Sequence, residues 1–342
     1  MRATFCINGR FRAHRVAGTQ RYITEVSKRF TTSPKMIEPT HPLKGVKGHA
    51  WEQTILPTLA RGSLLWSPSN TGPFGCEDQI VTIHDLFPLE HPEWFSLQFR
   101  TLWRLIVPRL VRRARHVIAV SHYTKERLVN LLGVSDRKIT VIHHGLSEDF
   151  YPRPEREVQE ILTKYGINNP YALAVSSLEP RKNLRRLLGA WESLDDLNEA
   201  ASLVVAGAKG SPAVFQDCGV TNIPKGVLFT GYVPDEDLPA LYSGAKALVY
   251  PSLNEGFGLP VLEALACGTR VISSNSTSIP EVAGGMALLI DPYSPQAIAR
   301  SLKLVIESDH DPRLAAEGRS HAQSFTWERS AAATESVLLA HS

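Results

Sequence analysis

Short β-rich apolar runs alternate with helical patterns along the whole chain, and this rhythm restricts the fold more than any other feature, because it is what parallel α/β units require. In the first half the expected strands are Ala3 to Asn8, Leu64 to Trp66, Ile80 to Asp85, His116 to Ser121 and Lys138 to His144. In the second half they are Tyr171 to Ser177, Ser202 to Ala206, Val227 to Tyr232, Ala247 to Pro251, Arg270 to Ser274 and Ala287 to Ile290. At 342 residues the chain exceeds one comfortable hydrophobic core, so two doubly wound sheets are expected. Between them, Phe150 to Glu155 carries Pro152 and Pro154, which remove backbone donors and mark a linker. The expected domains are residues 1–152 and 153–325. Such sheets bind ligands at the carboxyl ends of their strands, and two facing sheets would create a cleft.

Composition then removes several classes. A net charge of +3 is too small to imply nucleic acid as a partner. Cys6, Cys76, Cys218 and Cys267 are scattered without a CxxC pair, which suits a reducing cytoplasm and suggests neither a disulfide framework nor a zinc site. The run from Met1 to Asn8 is too short for a signal peptide, and no apolar stretch approaches a membrane span. The expectation is a chain neither secreted nor integral.

Chemistry is expected where strands end and helices begin. The segment Pro251 to Pro260, with Glu255, Gly256, Phe257, Gly258 and Leu259, follows a strand and precedes the helical run Val261 to Ala266. Its two glycines let backbone approach a ligand, and free N–H groups at the helix start favour a phosphate or a dense set of sugar oxygens. Glu255 is an acceptor for hydroxyls, and Glu263, two turns on, would hold a second part of an elongated ligand such as a ribose. The residues alone equally allow a helix cap at Glu255 and a solvated Glu263. Ser176 to Asn183 leaves another strand, and Arg181 and Lys182 near a helix N-terminus oppose its dipole unless an anion such as a diphosphate offsets them. In the first half, His84 and Asp85 end a strand, where a histidine can bond a sugar hydroxyl or shuttle a proton near neutral pH. The loop Gly9 to Gly18 leads into a helical run from Thr19, and Arg15 and Arg21 could assist an anionic acceptor.

Together, Glu255 and Glu263 with Gly256-Phe257-Gly258-Leu259-Pro260 between them resemble the E-x7-E element of retaining glycosyltransferase family 4. Leu178-Glu179-Pro180-Arg181-Lys182-Asn183 resembles that family's diphosphate-binding turn as seen in bacterial mannosyltransferases of surface-polysaccharide assembly. Val81 to Leu86, Val120-Ser121 and Val141-Ile142-His143-His144-Gly145 are similar to further landmarks in the same order, so the resemblance spans roughly residues 2–335. It implies an α/β GT-B fold of two Rossmann-like doubly wound parallel-sheet domains facing a cleft, with a last helix from about 326 to 342 packing back on the first. It also implies roles: Arg181 and Lys182 on the donor diphosphate, Glu255 with Gly256 to Gly258 on the transferred sugar, Glu263 on the ribose, and His84 approaching the sugar. Ser177, Phe257 and Leu259 would complete the donor site; Gly18, Thr19, Arg15 and Asp85 would face the acceptor. Many relatives have Gly-Arg where this chain has Ser176-Ser177, so Arg181 would take over a missing arginine's role, and Ala17-Gly18 replaces a double glycine.

The expected reaction is hexose transfer with retention, mannose from GDP-mannose being the favoured donor and dTDP-rhamnose or a UDP-sugar the alternatives, onto a glycan or polyprenyl-linked saccharide. No cofactor and no metal are expected. Asp235-Glu236-Asp237 resembles a metal-binding Asp-x-Asp, but after Pro234 and before a helical pattern it is expected to cap a helix instead. Six arginines and no acid lie between Arg100 and Arg115, among apolar residues, a run that suits an anionic membrane surface although Pro108 is expected to interrupt it. An epimerase or oxidoreductase is disfavoured because no G-x-G-x-x-G follows the first strand. A non-catalytic sugar-binding module is the remaining alternative.

Overall fold

Each run marked as a strand forms one. In the computed structural model the first sheet contains β1 Phe5–Asn8, β2 Lys35–Ile37, β3 Leu64–Ser67, β4 Gln79–Ile83, β5 His116–Ala119 and β6 Ile139–Val141. The second contains β7 Tyr171–Val175, β8 Ser202–Ala206, β9 Val227–Gly231, β10 Ala247–Tyr250, β11 Val271–Ser274 and β12 Leu288–Ile290. The structure describes residues 5–13, 18–43, 45–177, 179–194, 197, 200–207 and 222–342. Every pairing among the described strands is parallel. The chain divides into one unit of Met1–Glu90, Leu97–Gly145 and Phe325–Ser342 and another of His91–Ser96 and Leu146–Ser324.

The strand orders locate where a ligand can enter. The first sheet runs β2-β1-β3-β4-β5-β6 and the second β12-β11-β10-β7-β8-β9. In the first, the chain winds outward in opposite directions from the β1/β3 pair; in the second, from the β7/β10 pair. At such a switch point the loops leaving two adjacent strands turn to opposite faces and open a crevice at their carboxyl ends.

Parallel strands are covered on both faces, which explains their near-continuous apolar character. On one face of the first sheet, Phe5, Ile7, Trp66, Ile80 and Ile118 pack with Tyr22 and Ile23 of the helix Gly18–Ser27 and with Trp327 and Leu338 of the helix Trp327–Ala340. On the other, Val81, Ile83, Val117 and Ala119 pack with Trp103, Val107, Leu110 and Val111. In the second unit Leu203, Val205, Val249 and Ile272 meet Leu187, Trp191, Ile298 and Leu302. The backbone of Thr326 and Trp327 runs so close against Gly145 that a Cβ there would collide with it, which gives that position its glycine.

Three details differ from the sequence reading. Lys35–Ile37 adds an edge strand of three residues in which Lys35 is exposed and Met36 half-buried, so it lacks the continuous apolar run that marks the interior strands. The expected strand Lys138 to His144 narrows to Ile139–Val141, with a 3-10 turn over Asp136–Lys138 before it. Pro108 does not end its helix: Leu97–Arg113 runs through it, because Trp103, Ile106, Val107, Leu110 and Val111 bury on both sides of the missing donor and hold the halves in line.

Candidate active site

The switch point of the second sheet gathers the strongest charges. β7 ends at Val175 and leads through a 3-10 turn over Pro180–Lys182 into the helix Leu184–Glu192. Asn183 makes that junction possible: at φ 61 it adopts the left-handed conformation asparagine tolerates, and its amide donates to the carbonyls of Pro251 at 3.0 Å and Pro292 at 2.7 Å. β10 ends at Tyr250, and the loop to the helix Leu259–Ala266 closes on Gly258, whose φ of 109 suits glycine. The backbone N–H of Leu253 donates to the Arg181 carbonyl at 2.8 Å, so the two loops are stitched together.

Glu255 is the centre of this set. Its Oε1 accepts from Lys182 Nζ at 2.6 Å and from the Tyr250 hydroxyl at 2.7 Å, and its Oε2 accepts from Arg181 at 2.8 Å. Lys182 Nζ also donates to the Tyr250 oxygen. Arg181 Nε reaches Glu179 at 2.8 Å, and the Ser177 hydroxyl donates to the other oxygen of Glu179 at 2.6 Å. Burial opposes charge on Glu255, yet Arg181 and Lys182 outweigh it and hold its carboxyl down at about 2. For Lys182, burial and the neighbouring Arg181 charge push the pKa below the usual lysine range against the pull of Glu255. Burial and Glu255 push Tyr250 well up, so its hydroxyl keeps its proton.

Arg181, Lys182, Ser177 and Glu255 are therefore brought together. Gly256, Phe257 and Gly258 form the buried loop beside them, with the Ser278 hydroxyl within 2.9 Å of the Glu255 carbonyl and 2.8 Å of the Phe257 carbonyl. Leu259 opens the helix, half-buried. Glu263 is buried rather than solvated, and its Oε2 accepts from Tyr242 at 3.0 Å. Asp237 corrects an expectation: it stands at the start of the helix Leu238–Gly244 but does not cap it, because its carboxylate turns to Lys164 at 2.7 Å and Tyr165 at 2.6 Å.

The residues singled out in the first unit are arranged differently. His84 is buried, its Nε2 lies 2.8 Å from the Pro68 carbonyl and therefore carries the proton, and its Nδ1 lies 3.3 Å from His144 Nε2. Burial drives its pKa down to about 4, so the expected titration near neutral pH is replaced by a ring that stays neutral. Asp85, half-buried, accepts from the Phe87 N–H at 3.4 Å. Gly18 and Thr19 begin the helix Gly18–Ser27, and Arg15 lies outside the described residues.

Sequence reasoning passed over Tyr250, Glu179 and Tyr242. Tyr250 falls one residue before the loop read as functional, and a tyrosine ending a strand looks like any core aromatic. Glu179 stood inside the quoted turn, but a carboxylate between cations gives no signal beyond its charge.

A doubly wound sheet with cations converging at its switch point is the architecture of α/β proteins that hold anionic ligands at strand carboxyl ends. The family model of glycosyl transferases group 1 matches residues 157–321, and that of glycosyltransferase family 4 matches residues 78–150. The O-antigen chain mannosyltransferase B of Escherichia coli is 33% identical over 261 residues, covering 75% of this chain and 68% of that protein. The O-antigen chain mannosyltransferase RfbU of Salmonella typhimurium is 27% identical over 294 residues, 82% of this chain and 78% of that one. Among solved structures, the lipopolysaccharide glycosyltransferase WaaG superposes with a TM-score of 0.71 at 15% identity over 98% of both chains. Anabaena HepE in complex with UDP-glucose gives 0.70 at 18% identity over 95% of this chain and 97% of that one. The fold is GT-B, and the chain belongs to the group 1 glycosyltransferases of family 4.

Proposed function

We propose that this glycosyltransferase moves a hexose, mannose from GDP-mannose, to a glycan or lipid-linked saccharide during cell-surface polysaccharide synthesis, with retention and without a metal. The observation that carries the reading is the meeting of Arg181 and Lys182 on Glu255 at the second switch point. A donor diphosphate would take over the two cations, which supply the charge neutralisation that departure of a nucleoside diphosphate demands. Glu255, released from them, would accept from hydroxyls of the transferred sugar. The acceptor oxygen then bonds to the anomeric carbon on the face from which the diphosphate leaves, and a phosphate oxygen of the leaving group takes the acceptor's proton. Glu263, held by Tyr242, would face the ribose. The named activities of the Escherichia coli and Salmonella typhimurium relatives support mannose and an O-antigen-type acceptor.

We also propose a peripheral contact with the cytoplasmic membrane face through the helix Leu97–Arg113. Arg104 and Arg109 are exposed there beside Leu97 at 66% and Leu105 at 51% exposure, which combines anion attraction with insertable apolar surface. No helix among the described residues is long and apolar enough to cross a membrane.

The test of the donor is thermal stabilisation and turnover across GDP-, UDP-, dTDP- and ADP-sugars. A nucleotide sugar at about 100 times its Kd adds about 2.7 kcal/mol to stability. GDP-mannose is expected to stand out; a different nucleotide replaces the proposed donor, and stabilisation by none moves the reading to a non-catalytic module.

A further inference from the structure

The ammonium of Lys182 has three N–H donors and no acceptor capacity. Among the described residues one donor goes to Glu255 Oε1 at 2.6 Å and a second to the Tyr250 oxygen, with Nζ 4.5 Å from the centre of the Tyr250 ring. The Tyr250 hydroxyl donates its own proton to the same Glu255 oxygen, so its lone pairs face the ammonium. A closed triangle of three buried groups results, with one lysine N–H left over.

We propose that Tyr250 is a positioning residue of the transfer reaction: its hydroxyl keeps the Lys182 ammonium in place when Glu255 turns from the cations to the donor sugar. The inference rests on the donor-site reading given above. Once Glu255 leaves, the phenol is the acceptor that remains, and two N–H groups become available to the diphosphate. Without the hydroxyl, the buried ammonium is held by the incoming anion alone, with Arg181 repelling it and only Glu179, engaged with Arg181, nearby to compensate. The geometry needed when the diphosphate departs is then lost more than the initial binding. Deprotonation of Lys182 also becomes easier, because a dipole that favours the charged form has gone.

The experiment compares Tyr250→Phe with wild type using GDP-mannose, or the sugar nucleotide the panel selects. Tyr171→Phe is the control: it removes another buried hydroxyl, one that donates to the Leu241 carbonyl at 2.7 Å at the opposite end of β7. Expected for Tyr250→Phe are a kcat lower by about tenfold, a donor KM within about threefold, and an alkaline limb of the kcat profile moved to lower pH by about one unit. Tyr171→Phe should alter only the unliganded Tm. A Tyr250→Phe enzyme with wild-type kcat and an unmoved alkaline limb overturns the proposal, as does a raised KM with unchanged kcat. Wild-type protein that neither binds GDP nor turns over any nucleotide sugar overturns the donor-site reading itself, and the role of Tyr250 with it.

Discussion

Both sheets place an arginine–glutamate pair at their switch point, and the two pairs are built to opposite ends. In the first unit, Glu52 is fully buried, and its Oε1 accepts from Asn8 at 2.8 Å, Thr71 at 3.1 Å and Arg10 at 3.2 Å. Arg10 also donates to Thr71 at 2.9 Å, so β1, the loop after β3 and the helix Gly45–Thr54 are locked to one another. In the second unit, two cations share Glu255, Arg181 keeps 17% of its side chain exposed, and Lys182 retains a donor beyond its two bonds. A buried ion pair at a strand end is therefore not in itself a ligand site. What marks one is two cations converging on a single carboxylate that can exchange partners.

The contrast can be broken most forcefully at Glu52. Glu52→Ala leaves Arg10 buried without its countercharge, and stability in urea should fall by about 3–5 kcal/mol, while turnover per folded molecule stays near wild type. An unchanged unfolding midpoint would show that the first pair is not structural glue. At Glu255 the reverse is expected: Glu255→Gln should lower nucleotide-sugar turnover by about 100-fold, about 2.7 kcal/mol, yet leave GDP binding equal or tighter, because the competing carboxylate charge has gone. Equal losses in both would assign Glu255 to the diphosphate instead.

An effect that accumulates over several pH units separates the units by pH. His84 and His144 are held below the ordinary histidine range by burial, His84 at about 4. Between pH 6.5 and about 4 the unfolded chain takes up protons that the folded first unit refuses, so stability falls as pH falls, by about 1.4 kcal/mol per unit for each such proton. Glu255, depressed to about 2, adds its own loss only below pH 4.5. Urea midpoints measured from pH 7 to 4 should decline from about 6.5 downward; a flat profile over that window would mean the two rings charge freely in the folded state. Smallest is the expected loss of affinity for anionic vesicles in Arg104→Gln with Arg109→Gln, about 1 kcal/mol per arginine; equal sedimentation with vesicles would leave that helix without a membrane role.

How legible all this was in sequence follows from what each feature depends on. The eight interior strands announce themselves because a buried parallel strand must be apolar throughout, whereas Lys35–Ile37, at the sheet edge with Lys35 exposed, has no such obligation. Arg181, Lys182 and Glu255 were visible because charges flanking a strand–helix junction are out of place without a ligand. Their mutual pairing was not visible: residues 74 apart meet only because β7 and β10 are neighbours, a fact of strand order that no local pattern encodes. Tyr250 and the Arg10–Glu52 lock were hidden for the same reason. His84 was read correctly as ending a strand, but its burial and its pairing with His144 come from packing against Tyr22, 60 residues or more away in sequence from both.

We propose that the second switch point, not the first, holds the donor diphosphate. The most direct test is calorimetric titration of wild type and Lys182→Ala with GDP at one ionic strength, with fold confirmed by matching unfolding transitions. Saturable binding is expected in wild type, with affinity reduced by about tenfold or more in the variant, about 1.4 kcal/mol. Equal affinities would contradict it and remove Lys182 from the site.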